Sequence, residues 1–136
     1  MDDENTIKVL VVEPMKKPYV KEIGESLESM QEVVGGYIEE VMPFDDEVAL
    51  VCNEEGKLNG LPLNRAIYDS DNKMIDIIVG TFFVCNAPFE SEKFLSLTDE
   101  QEKKFSEKFS SPEIFFHTTD EIKAVKSNTK TKDYER

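Results

Sequence analysis

Cys52-Asn53-Glu54-Glu55-Gly56-Lys57-Leu58-Asn59-Gly60-Leu61-Pro62-Leu63-Asn64-Arg65 is the stretch on which the fold turns. It leaves an apolar run, passes through a tight turn at Glu55-Gly56 and closes on Leu-Pro-Leu-Asn-Arg, which carries the only arginine besides the C-terminal residue. Just upstream, Glu47 to Asn53 reads as a strand, and Tyr37 to Phe44 reads as another with Pro43 near its end. Asp45-Asp46 between them is turn chemistry, so residues 37–53 are predicted to form a hairpin. Just downstream, Lys57-Leu58 is predicted to start a short strand. Leu61, Leu63 and Ile67 then carry apolar weight into the body, with Pro62 and Asn64 breaking regular structure.

Towards the N-terminus, residues 1–5 are a polar lead-in. Ile7 to Glu13 is a strand that is apolar on both faces over Val9–Val12, the mark of a central position, and Pro14 stops it. Tyr19 to Ile23 is expected as a second strand antiparallel to the first. A helix is predicted over 25–34, with Leu27, Met30, Val33 and Val34 as its apolar stripe and Gly35-Gly36 as its stop.

Towards the C-terminus, residues 68–74 are a surface excursion. The calcium-loop glycine and terminal glutamate are missing around Asp69, Asp71 and Lys73. Ile75 to Cys85 is the strongest apolar run, expected to split at Gly80 into a helix or strand at 75–79 and a strand at 81–85. Thr98-Asp99-Glu100-Gln101 is a capping box opening a helix at 99–109, which buries Phe105 and Phe109. Ile114-Phe115-Phe116 is expected as an edge strand or as a cover for one end of the sheet. Residues 1–117 are expected to form one α+β domain, and 118–136 a polar, mobile C-terminal tail.

The 136 residues carry a formal net charge of −13. Nucleic acid and anionic membranes both demand clustered Lys and Arg, so this balance argues against direct binding to either. It favours solubility and a partner with a basic surface. No run approaches the ~20 apolar residues of a membrane span. The acidic N-terminus is unlike a signal peptide, which points to a cytoplasmic protein with Cys52 and Cys85 reduced, although the two could form one disulfide.

No nucleophile motif, phosphate loop or metal-ligand cluster is present, and neither cofactor nor metal is expected. His117 stands alone near the C-terminus, and Cys52 and Cys85 lack a neighbouring histidine. Adjacent acids such as Glu39-Glu40 point to opposite faces of a strand, which makes a poor two-carboxylate site. The candidate ligand-binding set is therefore Gly36, Asn53, Lys57, Asn64 and Arg65. Gly36 offers close backbone approach. Arg65 either pairs with Glu54 or Glu55 and pins the turn, or offers its planar fork to a phosphate or carboxylate.

Val9-Leu10-Val11-Val12-Glu13-Pro14, Gly35-Gly36-Tyr37-Ile38-Glu39, Asn53-Glu54-Glu55-Gly56-Lys57, Leu61-Pro62-Leu63-Asn64-Arg65 and Ile78-Val79-Gly80-Thr81-Phe82, taken together, resemble a family. It is a domain-of-unknown-function family of small proteins found in phages, plasmids and conjugative elements. The resemblance covers about residues 7–85, and the Tyr68–Met74 excursion looks longer than the family's usual connection. It implies a setting, that of an accessory which blunts host defence or modulates element transfer. It carries over no catalytic residue.

These readings predict an α+β fold: an antiparallel or mixed sheet of about five strands in a β-grasp-like order β-β-α-β-β, one helix on a face, and a C-terminal helix. They predict a non-enzymatic protein that binds and modulates a basic host protein, with counter-defence by acidic nucleic-acid mimicry as its use. The alternative is a binder that sequesters a nucleotide-like signal. A small hydrolase comes third, resting on the acids alone.

Overall fold

The computed structural model describes residues 5–127. Its elements are β1 (Thr6–Val12), β2 (Tyr19–Gly24), α1 (Leu27–Val34), β3 (Ile38–Val41), β4 (Val48–Asn53), β5 (Leu63–Tyr68), β6 (Met74–Val79), β7 (Phe82–Asn86), α2 (Asp99–Lys108), β8 (Glu113–His117) and β9 (Ile122–Lys126). Five strands form an α+β protein's main sheet in the order β2-β1-β7-β4-β3, and every pairing in it is antiparallel. The β3–β4 hairpin and the antiparallel β1–β2 pair are those predicted.

The most apolar strands occupy the middle because both of their faces are covered. β7 lies between β1 and β4, so Leu10, Val84 and Leu50 stand side by side in one row and Val11, Phe83 and Val51 in the next. Successive residues point to opposite faces, and two separate clusters result. Leu10, Val84 and Leu50 pack with Phe105 and Phe109 around α2 and with Ile67 and Ile78 of the β5–β6 hairpin. Val11, Phe83 and Val51 pack with Met30 and Val34 of α1. Burying each such side chain contributes about 1.5–3 kcal/mol.

Both helices carry signals that their sequences predicted. Thr98 and Gln101 close the reciprocal capping box of α2. Phe105 and Phe109 lie one turn apart against the sheet, and Phe109 meets Phe82 edge-on at 5.5 Å. α1 begins two residues later than expected: Ser26, with extended backbone, is its cap, and Glu25 lies before the helix, its N–H donating to the Asn5 carbonyl at 3.0 Å. Gly35 ends it in the left-handed region at φ 82°, where a side chain would be strained. Leu27, expected on the buried stripe, is exposed on the lip of a groove shared with Asn5, Glu25 and Phe94.

The region after β4 departs most from expectation. Lys57-Leu58 is part of a turn, with Leu58 exposed. Leu63–Tyr68 is a strand, although Pro62 and Asn64 read as breakers. Pro62 precedes the first strand residue, where no N–H is required. Asn64 sits in a register shift between Leu63 and Arg65, so it leaves the ladder without ending it. The apolar run of 75–85 divides between two sheets, β6 pairing with β5 and β7 entering the main sheet. At the corner Gly80 has φ 73°, and a Cβ there would lie 2.7 Å from Leu61 Cδ1. β8 and β9 form a separate antiparallel ribbon. β9 thus falls within the stretch read as a tail, of which residues 128–136 lie outside the described residues.

Candidate functional site

Gly36 and Asn53 meet where α1 ends and β4 ends. Asn53 Nδ2 donates to the Val34 carbonyl at 3.2 Å, and its Oδ1 accepts from Glu55 N–H at 2.8 Å. A Cβ on Gly36 would lie 2.8 Å from that same Nδ2. Here glycine makes room for a neighbouring side chain, and the asparagine amide ties the helix terminus to the turn.

Asn64 and Arg65 lie in the interior. Asn64 Nδ2 donates to the carbonyls of Val12 at 3.0 Å and Gly80 at 2.8 Å, which joins the end of β1 to the β6–β7 corner. Arg65 is 0% exposed. Its Nε and Nη2 both donate to the Phe109 carbonyl, Nη2 also to the Lys16 carbonyl at 2.8 Å, and Nη1 to Asn64 Oδ1 at 2.8 Å. The guanidinium therefore sits at the C-terminus of α2, where carbonyls point outward and the helix dipole favours a cation. It pairs with neither Glu54 nor Glu55, the partners expected from proximity in sequence. Burial lowers its pKa from the usual value, and the nearby Glu113 carboxylate opposes that shift. Glu113 is buried, and its Oε1 accepts from Ala66 N–H at 2.9 Å, which docks β8 against β5. Burial in turn raises the Glu113 pKa above the ordinary carboxylate value.

Lys57 is the one residue of the five with its functional group at the surface. It projects from the turn between β4 and β5, and its Nζ lies 2.8 Å from Asp76 Oδ1 on β6. This pair stands at the margin of an open groove of about 580 Å³, whose walls include Leu61, Leu63, Ile75, Val79 and Ile122. Ile75 is 52% exposed, unusual for an isoleucine within a strand. On its other side the pair borders a smaller cavity of about 100 Å³ containing Glu39, Glu54 and Cys52. The two hollows share Lys57, Asp76, Ile77 and Val79, so an apolar surface runs directly into one rich in carboxylates.

Sequence reasoning missed this groove because its walls come from three separate segments. One signal was present: Asp76 is a lone acid inside the apolar run of 75–79.

The thiols are poor nucleophiles. Burial, followed by the charges of Glu39 and Asp76 and opposed by Lys57, pushes Cys52 up to about 11. Burial raises the Cys85 thiol as well. A nucleophilic cysteine needs the opposite shift. His117 is exposed at the end of β8, whereas both cysteines are buried in β4 and β7. Among the described residues no three His, Cys, Asp or Glu side chains are grouped to hold a metal ion, and no helix is long and apolar enough to cross a membrane.

Residues 7–110 match the Domain of unknown function (DUF3846) family, and the chain belongs to it. The matched span takes in the main sheet, the β5–β6 hairpin and α2, and so runs beyond residue 85, where the sequence resemblance was placed. Lys57 and Asp76 fall inside it, and Ile122 falls outside. No curated protein and no solved structure matches the chain.

Proposed function

We propose that this member of the DUF3846 family is a non-enzymatic accessory protein that holds a partner protein bearing a basic surface. The observation that supports it is the apolar groove running into the carboxylates of Glu39, Glu54 and Asp76, on a chain of net charge −13. An apolar floor supplies affinity, and an acidic margin steers a cation and sets its register. In a phage, plasmid or conjugative element, the setting its sequence resemblance implies, the partner is a host protein. Acidic mimicry of nucleic acid in counter-defence is then the use of such binding.

Sequestering a nucleotide-like signal is the weaker reading. Asn64 and Arg65, the polar groups it would use, are committed to internal carbonyls and to each other. An anionic ligand would also meet the carboxylates beside Lys57.

The test is capture from host extract on immobilised wild-type protein and on an Ile75→Glu variant, at about 0.1 M and about 1 M salt. Over that range the screening length falls from ~10 to ~3 Å. A specific partner should be retained at low salt, released at high salt and lost from the variant. Finding no salt-sensitive partner, or equal capture by Ile75→Glu, overturns the proposal.

A further inference from the structure

Resting on that reading, we propose that Lys57 is an intramolecular stand-in for the partner's basic side chain. It occupies Asp76 until an extended protein segment, carrying an arginine or lysine two residues from an apolar one and so on the same face, displaces it.

Three features point this way. The first is continuity. The groove and the carboxylate cavity share Asp76 and Lys57, so an extended segment with an apolar side chain against Leu61, Leu63 and Ile75 can bring the next side chain on the same face, two residues on, to where the Lys57 ammonium now sits. The second is the asymmetry of the pair. Asp76 is fixed, because its Oδ1 also accepts from Ile77 N–H at 2.8 Å. Lys57 reaches it from a turn on a four-carbon stem, and its side chain is 67% exposed. An exposed pair of this kind holds only weakly, so displacement is easy. The third is charge. Three carboxylates, Glu39, Glu54 and Asp76, border a cavity with one ammonium. The surplus is felt at Cys52, whose thiol the Glu39 and Asp76 charges help to raise.

An arriving guanidinium suits this place better than the resident ammonium. Its planar fork can engage both carboxylate oxygens, whereas an ammonium acts as a point charge. Because the resident and arriving cations compete for one carboxylate, the two members of the pair should respond to mutation in opposite senses. A pair that merely ties the turn after β4 to β6 has no reason to behave so.

The experiment is an NMR titration of the full chain with acetyl-Ser-Leu-Ser-Arg-Ser-amide, whose leucine and arginine share one face when extended, and with the same peptide carrying citrulline in place of arginine. Amide shifts over Ile75–Val79 should report binding of the arginine peptide. Lys57→Gln should tighten it about threefold, the scale of an exposed ion pair. Asp76→Asn should weaken it about tenfold, as loss of a charge-assisted bond does. The citrulline peptide should bind the wild type as weakly as the arginine peptide binds Asp76→Asn. Absence of binding, equal binding of the two peptides, or a shift in the same direction for both variants overturns the inference. Repeating the extract capture with both variants separates the two proposals. A partner lost with Ile75→Glu but indifferent to Lys57→Gln and Asp76→Asn leaves the binding reading standing and removes Lys57 from it. If no salt-sensitive partner is captured at all, the underlying reading fails.

Discussion

Replacing Arg65 by methionine should destabilise the fold by about 3 kcal/mol. The magnitude follows from what the guanidinium holds. It makes five hydrogen bonds, two to the Phe109 carbonyl, one to that of Lys16 and two to Asn64. Methionine fills much of the volume but donates nothing. The Phe109 carbonyl and Asn64 Oδ1 then lose their buried donor, at about 1–3 kcal/mol for each buried group left unsatisfied. Lys16 is exposed, so water can replace the donor at its carbonyl and the loss there is smaller. Against these costs stands the desolvation penalty of a buried charge, which methionine escapes. The balance lies near the middle of the range and should lower the melting temperature by about 10 °C. Urea denaturation followed by circular dichroism measures it, with an unchanged m value marking a true change in stability. Arg65→Lys should fall between the two, since it keeps the charge at the end of α2 but not the planar fork. A methionine variant within about 1 kcal/mol of wild type would refute the clasp as described, because it would show that the carbonyls find other donors. A lysine variant equal to wild type would assign the effect to charge alone.

Three further substitutions test other parts of the structure. Gly36→Ala should cost about 2 kcal/mol by forcing the Asn53 amide off Val34 and Glu55; in an Asn53→Ala background it should cost far less, a coupling that a double-mutant cycle of denaturation curves would expose. Glu113→Gln should change the pH dependence of stability. The raised folded pKa of Glu113 means that the native state binds its proton more tightly than the unfolded chain, so stability is lost as pH rises from the ordinary carboxylate value through the folded one. Glutamine can still accept from Ala66 N–H and does not ionise, so its stability relative to wild type should grow with pH over that window and then level off, as urea melts at stepped pH would show. Met15 holds φ 65°, a conformation in which asparagine is at ease, as Asn72 is at φ 64°. Met15→Asn should therefore stabilise the protein by about 0.5–1 kcal/mol, and a fall in melting temperature would contradict this.

Features that depend on neighbours along the chain were readable in advance, and those that depend on distant carbonyls were not. The capping box of α2 needs only Thr98 and Gln101, three residues apart, and it stands as read. The same holds for Gly35 at the end of α1 and for the β3–β4 hairpin. Arg65 was misread because acids close in sequence looked like its partners, whereas its main acceptor, Phe109, lies 44 residues away. Asn64 looked like a breaker because its side chain competes with the backbone for hydrogen bonds. It does bond to backbone, but to carbonyls of β1 and of the corner at Gly80, and the strand survives. Of the five candidate residues only Lys57 borders a surface hollow with its charge exposed. The rest of that groove was hidden because an apolar residue in a strand gives no sign of which sheet will cover it. Asp76 was the sole clue, and only the fold brings it to Lys57.

The middle position of β7 has a consequence for the protein's birth. As the chain leaves the ribosome, β1 can pair with β2 and β3 with β4 from local sequence alone. The two pairs cannot join until residues 82–86 emerge and slide between them. Until then β1 and β4, both largely buried in the finished sheet, each present an unsatisfied side that invites the wrong neighbour. A nascent or prematurely stopped chain shorter than this is a client for chaperones, and β7 is the keystone whose arrival ends that exposure.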